Sequence, residues 1–253
     1  MYLDVTQTID ETLNLIKDMI RTNTPFSLSR FGDGEIKMLN RDSPKWHQQK
    51  GCSNWGYKYP SQVNILYDDA TAVILNAIRN SDVVGIMDKK NDIAKSINYS
   101  QEKWSIKKSF LDENNVDTSK LIICDHMLTR NIKFGKPENF KEILQGKSLN
   151  IISPNVESLK KKNLNKLLDA DVTFTHHPMS ITIRNRNEFI DNFKNIKSDV
   201  VLVGCGLQKD FVVYLKNNYG KVAIDAGATL DAWAGKITRP WFNPNGKQNY
   251  LLL

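Results

Sequence analysis

The chain has 253 residues, of which 40% are hydrophobic and 25% charged, and its formal net charge is +7. This composition is typical of a folded globular protein and excludes an intrinsically disordered chain, which would contain fewer apolar residues. No uncharged apolar run approaches the roughly 20 residues that span a bilayer, and no export signal is expected from the first residues. Three scattered cysteines without metal-ligand spacing favour a cytoplasmic location, with at most peripheral membrane contact.

The positive charge would suit a polyanion, a membrane surface or a substrate that carries phosphates. Lysine and asparagine are abundant along the whole chain, so composition bias explains the charge equally well. No recognised RNA- or DNA-binding module is present. Nucleic acid is therefore not the expected partner, although a basic polyanion binder remains a non-enzymatic alternative.

Apolar residues alternate along the chain between helical spacing and short continuous runs. Helical spacing predicts an amphipathic helix over 6–22, and the run FSLSRF over 26–31 predicts a strand that leads into a glycine-flanked turn at 32–34. A polar loop with several aromatic residues follows over 40–60, and then a second helix is predicted over 63–77. Further strands are predicted over 82–87, 121–125, 149–153, 172–175, 200–204 and 222–225.

This alternation indicates a mostly parallel sheet with helices on both faces, because each parallel connection requires a crossover. We therefore predict a doubly wound α/β fold of the Rossmann-like type. No repeat, low-complexity linker or long charge block marks a boundary, so a single domain over residues 1–253 is expected.

Two carboxylates, Asp33 and Glu35, lie where the first predicted strand ends. Open α/β sheets bind their ligands at this end of the strands. Hard oxygen ligands suit Mg²⁺ or Mn²⁺, which commonly use one or two carboxylates together with substrate phosphates, and Arg30 could add a charge-assisted bond to phosphate. The structural alternative is an ordinary Asp-Gly turn in which Glu35 caps a following helix.

The segment SLSRFGDGEIKML, residues 27–39, resembles the RFGDGE signature of the GT-D fold glycosyltransferases. The resemblance extends across nearly the whole chain through DHMLTRN (125–131), VGCGLQKDFVVYLKNNYG (203–220) and DAGATLDAWAGK (225–236). It implies a GT-D type of fold, a metal held by Asp33 and Glu35, and a nucleotide-sugar donor. The implied activity is transfer of a hexose from UDP-glucose or UDP-galactose to a glycan or a glycosylated protein.

Other residues are candidates for the same site because they lie at predicted strand ends or form a basic C-terminal segment suited to a diphosphate. Asp225, with Asp231, is a candidate third metal contact, ribose ligand or general base, and helix capping near 226–229 is the alternative. The candidates for donor binding are Arg30, Phe31, Gly32, Asp33, Arg130, Gly204, Lys236 and Arg239.

The segment from Gly204 to Asp225 offers a second enzymatic interpretation. It combines a strand, a glycine turn, a helix and a strand-terminal acid about twenty residues on, a spacing that resembles a dinucleotide or S-adenosylmethionine site. On this interpretation the protein is a methyltransferase. Its place near the C-terminus argues against this, because such units usually come early in a chain.

Histidines and aromatic residues supply weaker hypotheses. His126, His176 and His177 lie near predicted strand ends, where one could serve as acceptor base, but adjacent residues of a strand point to opposite faces, so the pair cannot serve one site. Aromatic side chains of the 40–60 loop could stack on a sugar or base, or form a small core of their own. These are Trp46, Trp55, Tyr57 and Tyr59.

Overall fold

The computed structural model describes residues 2–39, 63–90, 105–126, 128, 141–144 and 146–236. These residues form a sheet of seven strands, and every pairing in it is parallel. The strands are β1 (Phe26–Arg30), β2 (Val83–Ile86), β3 (Ile122–Asp125), β4 (Leu149–Ser153), β5 (Val172–His176), β6 (Val200–Val203) and β7 (Val222–Asp225).

Helices precede or connect the strands, as parallel pairing requires. Short 3₁₀ segments at Thr118–Lys120 and Asp191–Asn195 supplement them. The described α-helices are α1 (Ile9–Thr22), α2 (Asp33–Leu39), α3 (Val63–Asn80), α4 (Lys108–Glu113), α5 (Lys141–Leu144), α6 (Val156–Lys160), α7 (Leu164–Leu168), α8 (Asn187–Ile190), α9 (Phe211–Tyr219) and α10 (Ala228–Trp233).

The strand order across the sheet is β3-β2-β1-β7-β6-β4-β5. The chain moves outward from β1 to β3, resumes at β4, and returns through β6 to place β7 beside β1. The two halves of the chain therefore meet at the β1–β7 pair. In open α/β sheets such a point is where ligands bind, beyond the carboxyl ends of the strands.

Side chains of each strand alternate between two buried layers. In β1, Phe26 and Leu28 face a core shared with α1 and α10, where Trp233 is fully buried. Val84 of β2 and Val201 of β6 belong to cores on the opposite face, where α3 and α9 pack. Burial on both faces explains why the strands are continuous apolar runs in the sequence.

The predicted elements agree with the observed ones to within a few residues, and the differences have local causes. The first helix begins at Ile9 and not at residue 6, because Thr8 caps it: the Glu11 amide donates to the Thr8 hydroxyl at 3.2 Å, and the Glu11 carboxylate accepts from the Thr8 amide at 2.8 Å. The helix ends at Thr22, because the next residue, Asn23, adopts a left-handed conformation at φ 52°.

The glycine-dependent turn predicted at 32–34 is wrong, because a helix begins there instead. Neither Gly32 nor Gly34 belongs to the glycines with positive φ, and α2 begins at Asp33, directly after Gly32. The chain thus passes from β1 into a helix with no glycine-specific turn. The doubly wound, parallel α/β class predicted from the sequence is confirmed.

Among the described residues, no helix combines the length and the apolar character that crossing a membrane would require. The prediction of one domain over residues 1–253 stays a prediction, since 237–253 and several internal segments lie outside the described residues.

The central strand offers a stability test. Leu28 is fully buried in β1, so Leu28→Ala should lower the free energy of unfolding by about 2–5 kcal/mol through lost burial and a residual cavity. Ile65, which is 43% exposed on α3, provides the matched control, and Ile65→Ala should cost about 0.5 kcal/mol or less. Urea unfolding of both variants measures the difference, and equal midpoint shifts would contradict the packing described above.

Candidate active site

The last residue of β1, Arg30, is buried, and its guanidinium donates hydrogen bonds to main-chain carbonyls. Its Nε donates to the carbonyl of Asp225 at 2.5 Å, and its two terminal nitrogens donate to the carbonyls of His126 and Ala226, each at 2.8 Å. Its backbone amide donates to the Asp225 carboxylate at 3.2 Å. One side chain therefore ties together the segments that follow β1, β3 and β7.

Two glycines leave room for this guanidinium. A Cβ on Gly85, in the middle of β2, would lie 3.0 Å from Cγ of Arg30 and 3.2 Å from Cα of His126. A Cβ on Gly227 would collide with the guanidinium itself, and Gly227 also adopts φ +50°. Both positions need glycine because Arg30 crosses over them.

A second buried cation, Lys209, lies between two carboxylates. Its Nζ is 2.7 Å from Oδ2 of Asp225 and 3.2 Å from Oε1 of Glu35, and the three side chains are between 5% and 13% exposed. The main chain at Lys209 is also fixed, because the Ser29 hydroxyl donates to its carbonyl at 3.2 Å. The ammonium thus joins α2 to the end of β7.

Glu35 has a second contact that corresponds to the structural alternative considered above. Its Oε2 accepts the backbone amide of Gly32 at 2.9 Å, three residues earlier. This bond satisfies one of the free amides at the start of α2. The carboxylate therefore caps its own helix with one oxygen and faces Lys209 with the other.

Burial and charge act in opposite directions on the two cations. Burial lowers the pKa of Arg30, although the carboxylates of Asp225 and Glu35 partly offset it. For Lys209, burial also acts to lower the pKa, but the charges of Asp225 and Glu35 outweigh it and the net shift is upward. Lys209 is therefore a stable ammonium at neutral pH.

Asp33, the other predicted metal ligand, begins α2, but its side chain lies outside the described part of the chain. Among the described residues, no cluster of three or more His, Cys, Asp or Glu side chains could hold a metal ion. The metal role of Asp33 and Glu35 therefore stays a prediction. Glu35 and Asp225, which both contact Lys209, are the carboxylates that the structure brings together beside the β1–β7 pair.

The structure does not bring the remaining donor-binding candidates together at one site. Phe31 is fully buried in the apolar core beside α3, and the described side-chain contacts of Arg30 are all to main-chain carbonyls. Gly204 and Lys236 lie on a neighbouring cavity. Arg130 and Arg239 lie outside the described residues, as do the aromatic residues Trp46, Trp55, Tyr57 and Tyr59.

The three candidate histidines lie in different environments. His176 is exposed at the end of β5, whereas His177 is buried, in agreement with the expected alternation. Nε2 of His177 lies 3.2 Å from Oε1 of Gln208, and burial lowers its pKa, so the ring is neutral at pH 7. His126 contributes its carbonyl to Arg30. None of these contacts assigns a base.

The side chains of Arg30, Glu35, Lys209 and Asp225 form a charged centre. A cavity of about 580 Å³ opens next to it, beyond the carboxyl ends of β4, β5 and β6. One wall is the turn from Gly204 to Gln208. Another is polar: Nδ2 of Asn155 donates to Oδ1 of Asp231 at 2.6 Å, and Nζ of Lys236 donates to Oδ1 of Asn155. Its volume lies within the roughly 300–1,000 Å³ of small-molecule sites.

Residues 7–233 of the chain match the model of the GT-D fold-like domain. The chain belongs to this family. The match spans most of the 253 residues and confirms the family that the RFGDGE motif indicated. No curated protein matches the sequence.

Solved structures show the same fold. One, described as the highly conserved domain of unknown function 1792 with a distinct glycosyltransferase fold, aligns at a TM-score of 0.58 and 20% identity over 90% of this chain and 79% of that one. Another, described as a new glycosyltransferase (DUF1792) from Streptococcus sanguinis, aligns at 0.55 and 17% identity over 90% of this chain and 82% of that one. This family and fold support a glycosyltransferase as the enzyme class.

Sequence reasoning did not identify Lys209, the cation at the middle of the site. Lys209 lies in the segment VGCGLQKD, where it forms with Asp210 an ordinary Lys-Asp pair directly before a helix. Gly85 was also missed, although a glycine inside the apolar run DVVGIM is a recognisable signal of close approach by another group.

The Lys209 contacts predict a large stability effect. Lys209→Met would leave the Glu35 and Asp225 carboxylates buried without their cation, and we expect a loss of about 3–5 kcal/mol in the free energy of unfolding. Lys160 on α6 provides the control, since its pair with Glu157 at 2.9 Å is exposed and Lys160→Met should cost less than about 1 kcal/mol.

Denaturant unfolding in EDTA measures both, so that no added metal replaces the missing ammonium. Partial recovery of stability in the double variant Lys209→Met with Asp225→Asn would support the charge argument, because it removes one of the two buried anions that have lost their cation. Equal losses for the Lys209 and Lys160 variants would contradict it.

Proposed function

We propose that this protein is a metal-dependent hexosyltransferase that moves a hexose from a UDP-linked donor, UDP-glucose or UDP-galactose, to a glycan or glycosylated protein. The family supports the glycosyltransferase class. The observation that supports metal dependence is the carboxylate pair Glu35 and Asp225 around one cation, at the β1–β7 pair of the sheet. The donor and acceptor are proposed from the resemblance of the RFGDGE motif.

The charged centre suits a hard divalent cation. Glu35 and Asp225 already hold a positive group, the Lys209 ammonium, between carboxylate oxygens, which are the ligands that Mg²⁺ and Mn²⁺ prefer. We propose that Asp33 and Glu35 would hold the metal. When bound, it would stabilise, as a Lewis acid, the negative charge that develops on the departing diphosphate.

The chain's own residues then have distinct positioning roles. Arg30 fixes the carbonyls that follow β3 and β7, and any contact of its remaining donors with the diphosphate stays a prediction. Asp225, predicted as catalytic, accepts both Lys209 and the Arg30 amide on its Oδ2 oxygen. We infer that Asp225 acts by holding these two cationic residues in place.

The methyltransferase alternative receives less support. It requires the acid at the end of β7 to bind a ribose, but one oxygen of Asp225 is already shared by two donors and the side chain is buried. A cytoplasmic location is part of the proposal, because the described cysteines, Cys124 and Cys205, are buried free thiols.

Removing either carboxylate of the motif tests the activity. Asp33→Asn and Glu35→Gln should each reduce Mn²⁺-dependent hydrolysis of UDP-glucose or UDP-galactose by about 100-fold or more, in line with the loss of one element of transition-state charge stabilisation. Glu113→Gln, at an exposed position of α4, is the control and should retain wild-type turnover. Wild-type hydrolysis by the Asp33 variant would refute the metal assignment.

The charge balance predicts how metal and nucleotide bind. Arg30 and Lys209 contribute two formal positive charges and Asp33, Glu35 and Asp225 three formal negative ones, so these five residues have a formal net charge of only −1. A divalent ion therefore finds little net attraction until the diphosphate brings further negative charge. We expect Mn²⁺ to bind weakly alone and at least about tenfold more tightly with UDP, by reciprocal linkage.

Electron paramagnetic resonance of free Mn²⁺ with and without UDP measures this coupling. Equal Mn²⁺ affinity in both conditions would show that the protein supplies the metal site without help from the nucleotide.

A further inference from the structure

The cavity beyond β4, β5 and β6 shares main chain with the charged centre. Its turn from Gly204 to Gln208 runs directly into Lys209, and Val203 is the register partner of Asp225. A molecule in the cavity would therefore lie one strand away from Asp225. An acceptor must bind beside the donor, because transfer forms a bond between the two.

The lining of the cavity has a polar part and an apolar part. The polar part consists of the linked groups of Asp231, Asn155 and Lys236. The apolar part includes Met179, Ile181 and Ile183. Met179 is 75% exposed and lies at the cavity, where a ligand could contact it.

This combination matches a pyranose ring. A sugar presents hydroxyl groups at its edge and a C–H surface on its face, so it needs hydrogen-bonding groups on one side and apolar contact on the other. Charged hydrogen-bond acceptors such as Asp231 bind hydroxyls more strongly than neutral ones do. The cavity thus offers what a neutral, hydroxylated ring requires.

The charges of the cavity disfavour a nucleotide. Asp231 and Lys236 are its charged residues among the described lining, and they cancel, while His177 is neutral at pH 7. A diphosphate carries several negative charges and would find no net positive charge in this lining, and none of the described lining residues is a Phe, Tyr or Trp on which uracil could stack.

We propose that this cavity binds a hexopyranoside unit of the acceptor. The acceptor role rests on the proposed transferase function, whereas the binding of a hexopyranoside by the cavity can be measured without it. The polar part of the lining would bind the ring hydroxyls and the apolar part would cover the ring face.

The exposed methionine provides the measurement. The chain contains six methionines, so a ¹³C-methyl spectrum of methionine-labelled protein is simple, and Met179→Leu identifies the Met179 signal. Methyl β-D-glucopyranoside and methyl β-D-galactopyranoside are added in the millimolar range, with and without UDP and Mn²⁺. We expect at least one glycoside to shift the Met179 signal in a saturable manner.

A pair of isosteric variants separates the cavity from the surface. Asp231→Asn keeps the oxygen that accepts from Asn155 but removes the charge, and it should weaken glycoside binding about tenfold or more, the loss expected for a hydrogen bond to a charged group. Asp191→Asn, at an exposed position outside the cavity, should leave the affinity unchanged.

Two results would overturn the inference. The first is a Met179 signal that neither glycoside moves, with or without UDP and Mn²⁺. The second is a Met179 signal that UDP moves and that glycosides compete for, which would assign the cavity to the nucleotide. Glycoside binding in a protein that never binds UDP would refute the transferase proposal and leave the cavity as a carbohydrate site.

Discussion

Two buried cations hold the carboxyl ends of the central strands together. Arg30 donates to carbonyls that follow β3 and β7, and Lys209 bridges α2 to Asp225. Burying a guanidinium or an ammonium is costly unless it is paired and hydrogen-bonded, so the partners must be at their places whenever the protein is folded. The requirement for pairing therefore fixes the geometry of the site.

This constraint favours preorganisation. Donors and charges that are already oriented need no rearrangement when charge develops on a substrate, and that is how electrostatic catalysis gains most of its effect. Glu35 is held from two sides, by the Gly32 amide and by Lys209, so its carboxylate has little freedom to turn. The Ser29 hydroxyl extends this order to the main chain at Lys209. The site is rigid because each part is bonded to an element of the sheet.

The sequence predicted the layers of the fold well, because buried parallel strands are short apolar runs and helices keep their spacing. It also placed Asp33 and Glu35 at a strand end. It could not reveal the partners of Arg30, since the bond to Asp225 joins residues 195 positions apart and depends on which strands become neighbours. A basic residue at the end of a strand suggests phosphate binding, and only the three-dimensional register shows that its donors reach carbonyls.

The turn from Gly204 to Lys209 connects the charged centre to the cavity. Gly206 adopts φ +61°, and a Cβ on Gly204 would lie 2.9 Å from Leu230 of α10, the helix that also carries Asp231. The turn thus packs against the helix that carries Asp231 and continues into Lys209. If donor and acceptor occupy these two places, their separation is set by main chain, not by flexible side chains. Orientation of two reactants supplies a large share of enzymatic rate enhancement, so a rigid shared turn is a suitable basis for glycosyl transfer.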